Sequence, residues 1–218
     1  MVGSRSRRRG LSATLLASSA IVFAVLLSAA PAAAATTPFN TNLVRNPGAE
    51  KALANPPWDV FPDGAFVRHK YGPSGFGFPP KSEGTRIGGG VYFFTSKTDN
   101  VFGCGDAKQD IVLSGIGGKI DTGHVKVAIR AFAATNGAAE MTANFDVQFF
   151  NSEHHTVSSF GLQRHATSTN ETYRTLQGSK VLPIHTRILQ VHLYQTPSDG
   201  SVGCQSSWDN VSVVLLHV

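Results

Sequence analysis

Beyond its first three dozen residues the chain has no stretch with the 3.6-residue period of an amphipathic helix; short apolar–polar alternations recur instead. Residues 124–134, HVKVAIRAFAA, set Val125, Val127, Ile129 and Ala131 against Lys126, Ala128, Arg130 and Phe132. Residues 140–150, EMTANFDVQFF, set Met141, Ala143, Phe145, Val147 and Phe149 against Thr142, Asn144, Asp146 and Gln148. The run 186–196, TRILQVHLYQT, places Leu189, Val191 and Leu193 opposite Ile188, Gln190, His192 and Tyr194, and 208–218 puts Val211, Val213 and Leu215 on one side. Strand side chains alternate faces, so each pattern describes a strand with one buried and one wetter face. Weaker signals of the same kind fall at 65–71, 90–94, 107–113, 156–162 and 172–181. About nine or ten strands bounded by Gly, Pro, Asn and Ser predict an all-β fold, an antiparallel two-sheet β-sandwich. The two longest strands flank TNGAA (135–139), which predicts a hairpin turn centred on Asn136-Gly137.

Two segments read as loops by composition, NPPWDVFPDGAF (55–66) and YGPSGFGFPPKSEGTRIGGG (71–90). The second is long for a compact domain, and long ordered loops often carry function. No internal repeat and no linker divides the chain after residue 36.

The N-terminus has a different character. A basic head (MVGSRSRRRG), an apolar middle (LSATLLASSAIVFAVLLSA) and a small-residue exit (APAAAATT) describe a secretory signal peptide, the Ala-rich exit arguing against a retained membrane anchor. Arg8-Arg9 suits a twin-arginine signal, but Gly10-Leu11-Ser12 continues it poorly, so the export route stays open. With cleavage after Ala35, residues 1–35 are the signal and 36–218 form one secreted domain, 183 of the 218 residues and enough for a substantial core. The charge picture changes with the cut. The full chain is +5, but Arg5, Arg7, Arg8 and Arg9 leave, so 15 basic residues face 14 acidic ones and the balance is +1. Nothing in that balance points to nucleic acid or to an anionic membrane as partner.

Cys104 and Cys204 are the two cysteines, and in an exported protein two thiols usually pair. Closing a loop of about a hundred residues is worth ~4–5 kcal/mol in the chain-entropy account. Catalytic signatures are missing: there is no Gly-x-Ser-x-Gly elbow, no His-Glu-x-x-His and no phosphate-cradling glycine loop. His154-His155 would point to opposite faces of a strand, which reads as a polar strand edge rather than a metal or base site. Glu83, Glu140, Glu153 and Glu171 could supply a glycosidase pair, yet none has an aromatic neighbourhood suggesting a sugar subsite, and they read as solvated charges. No catalytic residue is assigned.

Three segments read together carry a resemblance: NLVRNPGAE (42–50), VLPIHTRILQVHLYQT (181–196) and SWDNVSVVLL (207–216). The set resembles bacterial secreted modules of the galactose-binding-domain-like jelly-roll group, to which many carbohydrate-binding modules belong. The resemblance implies a jelly roll over nearly the whole of residues 36–218. It also implies that the acid of the opening Asn-Pro-Gly-x-Glu turn, Glu50, and the Asp of the closing Asp-Asn, Asp209, lie side by side and hold a structural calcium with backbone carbonyls. Physical chemistry agrees: calcium prefers hard oxygen ligands, and two carboxylates brought close repel unless a cation or a proton intervenes. Two departures stand out. His185 sits where such relatives often have glycine, and GCGDAKQD (103–110) is unlike their usual Gly/Ser-rich loop.

Sugar sites in such sandwiches combine aromatic faces with a few amide or charged groups. Arg130, Gln148, His192 and Tyr194 on the wetter strand faces have that chemistry. The loops add Trp58, Tyr71, Phe76 and Phe78 for a site at the sandwich rim, although Trp58 and Trp208 also suit the core. The expected function is a secreted, non-catalytic β-sandwich that binds carbohydrate or a cell-envelope polymer. A small glycan-active hydrolase and a protein-interaction domain without a small ligand are the alternatives, and the oligomeric state is open.

Overall fold

Among the described residues the alternating segments fold as ten strands with two single-turn helices between them. They are β1 (Asp59–Phe61), β2 (Phe66–Lys70), α1 (Lys81–Arg86), β3 (Tyr92–Ser96), β4 (Asp106–Val112), α2 (Gly117–Asp121), β5 (Val125–Thr135), β6 (Met141–Phe150), β7 (Thr156–Ala166), β8 (Asn170–Val181), β9 (Ile188–Pro197) and β10 (Ser206–His217). The computed structural model describes residues 35–53, 57–61, 65–72, 78–96, 104–135, 141–166, 170–197 and 206–218. One sheet runs β1-β4-β9-β6-β7 and the other β2-β3-β10-β5-β8, with antiparallel pairing throughout. Residues 34–218 form one unit by their contacts, and among the described residues no helix is long and apolar enough to cross a membrane.

The expected hairpin is not there. β5 and β6 belong to different sheets and do not pair with each other, and the predicted turn residues 136–140 lie outside the described set. A two-residue turn links strands that hydrogen-bond to each other, and pairing across the gap between two sheets is impossible. The hairpin between chain neighbours forms instead at β6–β7, through residues 151–155. His154-His155 therefore sits in a turn rather than on a strand: His154 takes φ +61°, and His155 Nδ1 lies 3.5 Å from Glu153 Oε2 on the surface. The 55–66 loop contributes the short edge strand β1, and the 71–90 segment contains α1.

The inward residues of both sheets make the core, with Trp58, Phe66, Phe94 and Trp208 at its centre. Trp58 and Phe94 meet edge to face at 5.1 Å, and Phe66 lies 5.6 Å from Trp208. A second cluster, Tyr71, Ile87, Phe93, Phe132, Ala134 and Tyr173, with Phe78 packed against it, covers part of the outer face of the β2-β3-β10-β5-β8 sheet. α1 closes that lid. Glu83 accepts from the Tyr173 backbone N–H (3.0 Å) and pairs with Arg86 (2.7 Å), and Arg86 in turn donates to the Tyr173 carbonyl (2.8 Å). The Arg86 hydrogen bond holds the Glu83 carboxyl below its ordinary range. Glu83 is thus a clamp, not the solvated charge its sequence context suggested.

The two ends of the sandwich are stitched by Asn42, in the opening NLVRNPGAE. Its amide donates to the Val211 carbonyl (3.0 Å) and accepts from the Val213 N–H (3.0 Å), while Asn40 and Leu43 N–H groups reach the Leu215 and Val213 carbonyls at 2.9 Å. In β10 the pairing with β5 slips between Asp209 and Ser212, where Asn210 takes φ +49°. This bulge adds a residue to one strand. It lets Trp208 and Val211, three positions apart, both face the core, and it leaves Asp209 on the outer side.

Candidate functional site

Strand alternation and register bring a polar row onto the outer face of the β1-β4-β9-β6-β7 sheet. Lys108 of β4, His192 of β9, Asp146 of β6 and Gly161 of β7 occupy consecutive paired positions, with Asp59 of β1 beside Lys108. One row away, Asp110, Gln190, Gln148 and Ser159 repeat the arrangement, and Gln190 donates to Asp110 Oδ1 at 2.9 Å. At the centre the His192 and Tyr194 rings stack with centroids 4.5 Å apart. Each ring is braced by a carboxylate: His192 Nε2 lies 2.9 Å from Asp106 Oδ2, and the Tyr194 hydroxyl hydrogen-bonds Asp146. Lys108 Nζ is 3.5 Å from the same Asp106 oxygen.

Burial governs the titration of this cluster. It lowers the His192 pKa, and the Asp106 partner only partly offsets it, so the ring is neutral at pH 7. Burial likewise raises the Asp146 carboxyl despite the Tyr194 bond, and raises Tyr194, with Asp146 adding to the effect. Asp106 Oδ1 and His192 Nδ1 are buried with no hydrogen-bond partner. A buried polar atom left unpaired costs about 1–3 kcal/mol, so groups of this kind ask for an explanation such as a ligand or water. Gly161 leaves room for the Asp146 carboxylate: a Cβ at that position would stand 2.5 Å from Asp146 Oδ1, and the carboxylate would have to move.

Of the residues expected to bind ligand, Gln148, His192 and Tyr194 share this face. Arg130 does not; it lies on β5, in the other sheet. Trp58 is a correction of another kind. It is 0% exposed, and its indole N–H donates to the Asn46 carbonyl at 3.3 Å, so it offers no face to a sugar. The rim residues are placed only in part. Tyr71 is buried, Phe78 stacks on His69 at 4.3 Å, and Phe76 lies outside the described residues. Asp106, Asp146 and Gly161 were missed as site members, because which polar residues share a row is set by strand pairing.

The second constellation surrounds the acid pair. Asp209 is 0% exposed, with Tyr71 donating to its Oδ2 (2.7 Å) and the Asn210 N–H to its Oδ1 (2.6 Å). Tyr71 Oη stands 3.2 Å from Tyr173 Oη, and burial keeps both phenols protonated far above pH 7. Glu50 Oε1 accepts from the Val91 and Tyr92 N–H groups at 2.8 and 3.0 Å. Burial pushes the Asp209 carboxyl up to about 6; the Tyr71 and Asn210 bonds lower it, and the Glu50 charge raises it further. Glycines line the two carboxylates, since a Cβ on Gly89 would collide with Asp209 Oδ2 and one on Gly90 with Glu50 Oε1. Two carboxylates lined on one side by glycine backbone offer calcium hard oxygen ligands. Among the described residues no group of three or more His, Cys, Asp or Glu could hold a metal, so carbonyls would have to complete any shell.

His185 takes φ +67°, the left-handed conformation that favours glycine. Its N–H is held by Asp121 Oδ1 at 2.8 Å. Cys104 is not a free thiol, while Cys204 lies outside the described residues.

No protein-family model matches the chain, and no curated protein does. Solved structures do share the fold. The Stig cyclase Fisc from Fischerella sp. TAU, in complex with (3Z)-3-(1-methyl-2-pyrrolidinylidene)-3H-indole, is similar with a TM-score of 0.54 and 13% identity over 81% of this chain and 98% of the cyclase. Family 16 Carbohydrate Binding Module-2 gives 0.50 and 12% over 79% of this chain and 99% of the module. The enzymatically active domain of bacteriophage CBA120 tailspike protein 4 gives 0.52 and 14% over 80% of this chain, which spans only 21% of that domain. The chain therefore has the jelly-roll β-sandwich fold found in carbohydrate-binding modules, and at this identity the likeness concerns the fold. Sites on such a fold decide function.

Proposed function

We propose that this protein is a carbohydrate-binding module that acts without catalysis and is exported by its N-terminal segment. The carrying observation is the stacked His192–Tyr194 pair, braced by Asp106 and Asp146 on a broad polar sheet face. Aromatic rings with hydroxyl-seeking carboxylates and amides at their flanks are the chemistry that sugars require. The two unpaired buried atoms, Asp106 Oδ1 and His192 Nδ1, support a role for this face beyond packing. One fold neighbour is by name a carbohydrate-binding module. On this reading Glu50 and Asp209 hold a structural calcium that neutralises the exposed Glu50 and the buried Asp209 together, and Cys104 pairs with Cys204 to tie the start of β4 to the approach of β10.

The test is affinity electrophoresis of the secreted chain against neutral plant, fungal and bacterial polysaccharides. Retention by at least one polymer is expected, falling about tenfold in Tyr194→Ala, the scale of one lost aromatic contact with its hydrogen bond. No retention across the panel overturns the assignment of the His192–Tyr194 face as a carbohydrate site. Turnover of chromogenic glycosides that Asp146→Asn abolishes would move the assignment to a glycan-active hydrolase.

A further inference from the structure

The strand register that removes Arg130 from the polar face places it in a trough of its own, on the outer face of the other sheet. Gln177 of β8, Arg130 of β5 and Ser212 of β10 are consecutive paired positions, so one polar row crosses three adjacent strands. The next row carries Ser179, Ala128 and Val214, and the one after it brings in Leu216. These residues line a single open depression. It exists because Ala128, Ser179 and Ser212 are small, while the lid cluster around Phe132 rises at one end. The β10 bulge is what sets Ser212 opposite Arg130. Without the extra residue, the outward and inward positions beyond Asp209 would exchange.

Arg130 is exposed, yet it is held: its guanidinium lies 4.8 Å over the Phe132 ring. No acidic residue lines the trough, and Arg130 makes no ion pair among the described residues. A planar guanidinium fixed by cation–π contact and lacking a carboxylate partner is prepared for bidentate recognition of an incoming one. Around it, Gln177, Ser179 and Ser212 offer amide and hydroxyl groups beside an apolar strip of Val214 and Leu216. The charge is opposite to that of the His192–Tyr194 face, where Asp59, Asp106, Asp110 and Asp146 face the cation of Lys108.

We propose that this trough is a second binding site, for a hexuronic-acid unit of an acidic polysaccharide. Its carboxylate sits on the Arg130 fork, its hydroxyls meet Gln177, Ser179 and Ser212, and one face of the pyranose lies on Val214 and Leu216. The site is independent of the neutral-glycan site on the opposite sheet.

The experiment measures binding of the whole exported chain to polygalacturonate by isothermal titration and by affinity electrophoresis. Dextran sulfate is the polyanion control, and the neutral-polysaccharide panel runs alongside. Arg130→Gln, an exposed change checked by an unaltered melting temperature, should weaken polygalacturonate binding at least tenfold and leave neutral-glycan retention alone. Tyr194→Ala should do the reverse. The proposal is overturned if the parent chain does not bind polygalacturonate, if Arg130→Gln binds it equally well, or if dextran sulfate binds as tightly with the same dependence on Arg130. Silence from the neutral panel with uronate binding intact would instead sink only the neutral-glycan reading.

Discussion

Removing the charge of Asp209 tests how the acid pair is held together. The carboxyl is wholly buried and its pKa rises from 3.8 to about 6. A group whose folded pKa is raised takes up a proton on folding between the two values, so it costs stability above pH 6 and the cost disappears as pH falls toward 3.8. By linkage the full cost is about 3 kcal/mol, of which about half is recovered by pH 5. For a domain of this size that corresponds to a shift of roughly 6–12 °C in melting temperature over the whole window. Asp209→Asn removes the titration while keeping one oxygen, and it forfeits one of the hydrogen bonds from Tyr71 and Asn210, about 1 kcal/mol. In chelator at pH 7.5 the variant should therefore be more stable than the parent by about 1–2 kcal/mol, and the two should converge by pH 5. His192 acts in the opposite direction, because its lowered pKa makes the folded state lose stability as pH falls below 6.5. It is present in both proteins and cancels in the difference. Calcium should stabilise the parent at pH 7.5 and do so much less for the variant. The assay is urea unfolding at pH 5.0, 6.0 and 7.5 with chelator and with calcium. Parallel pH profiles would refute the buried carboxylate as the source of the cost, and equal stabilisation by calcium would remove Asp209 from the ion site.

Two further substitutions probe the frame and the polar face. Gly161→Ala should push Asp146 away from Tyr194, because the added methyl stands 2.5 Å from Asp146 Oδ1. Neutral-glycan retention should then fall several-fold with at most about 1–2 kcal/mol lost in stability; unchanged retention would show that the Asp146 brace is not used. His185→Gly relieves a left-handed backbone worth about 1–2 kcal/mol against the roughly 0.5–1 kcal/mol that glycine costs in the unfolded chain. A net gain of about 0.5–1 kcal/mol in urea unfolding is expected, since the Asp121 bond is made by the backbone N–H and survives. No gain would mean that the turn is not strained.

The inward sets of β5, β6 and β9 follow from residue order alone: Val125, Val127 and Ile129, Phe145 and Val147, and Leu189, Val191 and Leu193 are all buried as the alternation required. A period of two is a local property, and burial of one face is enough to express it. The opening and closing motifs were informative for a similar reason. Asn42 and Glu50 stand in the opening loop and Asp209 at the β10 bulge, each with a recognisable local chemistry, and the fold brings Asn42 onto β10 and Glu50 within electrostatic reach of Asp209.

Alternation states which side of a strand is wet but not which sheet the strand joins. That choice rests on hydrogen bonds to partners far away in the chain, as β9 takes β4 on one side and β6 on the other. It separated Arg130 from Gln148, His192 and Tyr194, sent β5 and β6 to different sheets, and aligned Lys108, His192, Asp146 and Gly161 in one row. The fate of Trp58 was decided the same way. An aromatic side chain in a Pro-rich segment serves equally well in a core or on a rim, and only the arrival of Phe94 and the Asn46 carbonyl beside it made it an anchor. Local pattern thus specified the strands and their faces, while long-range pairing determined which polar faces became surfaces able to bind.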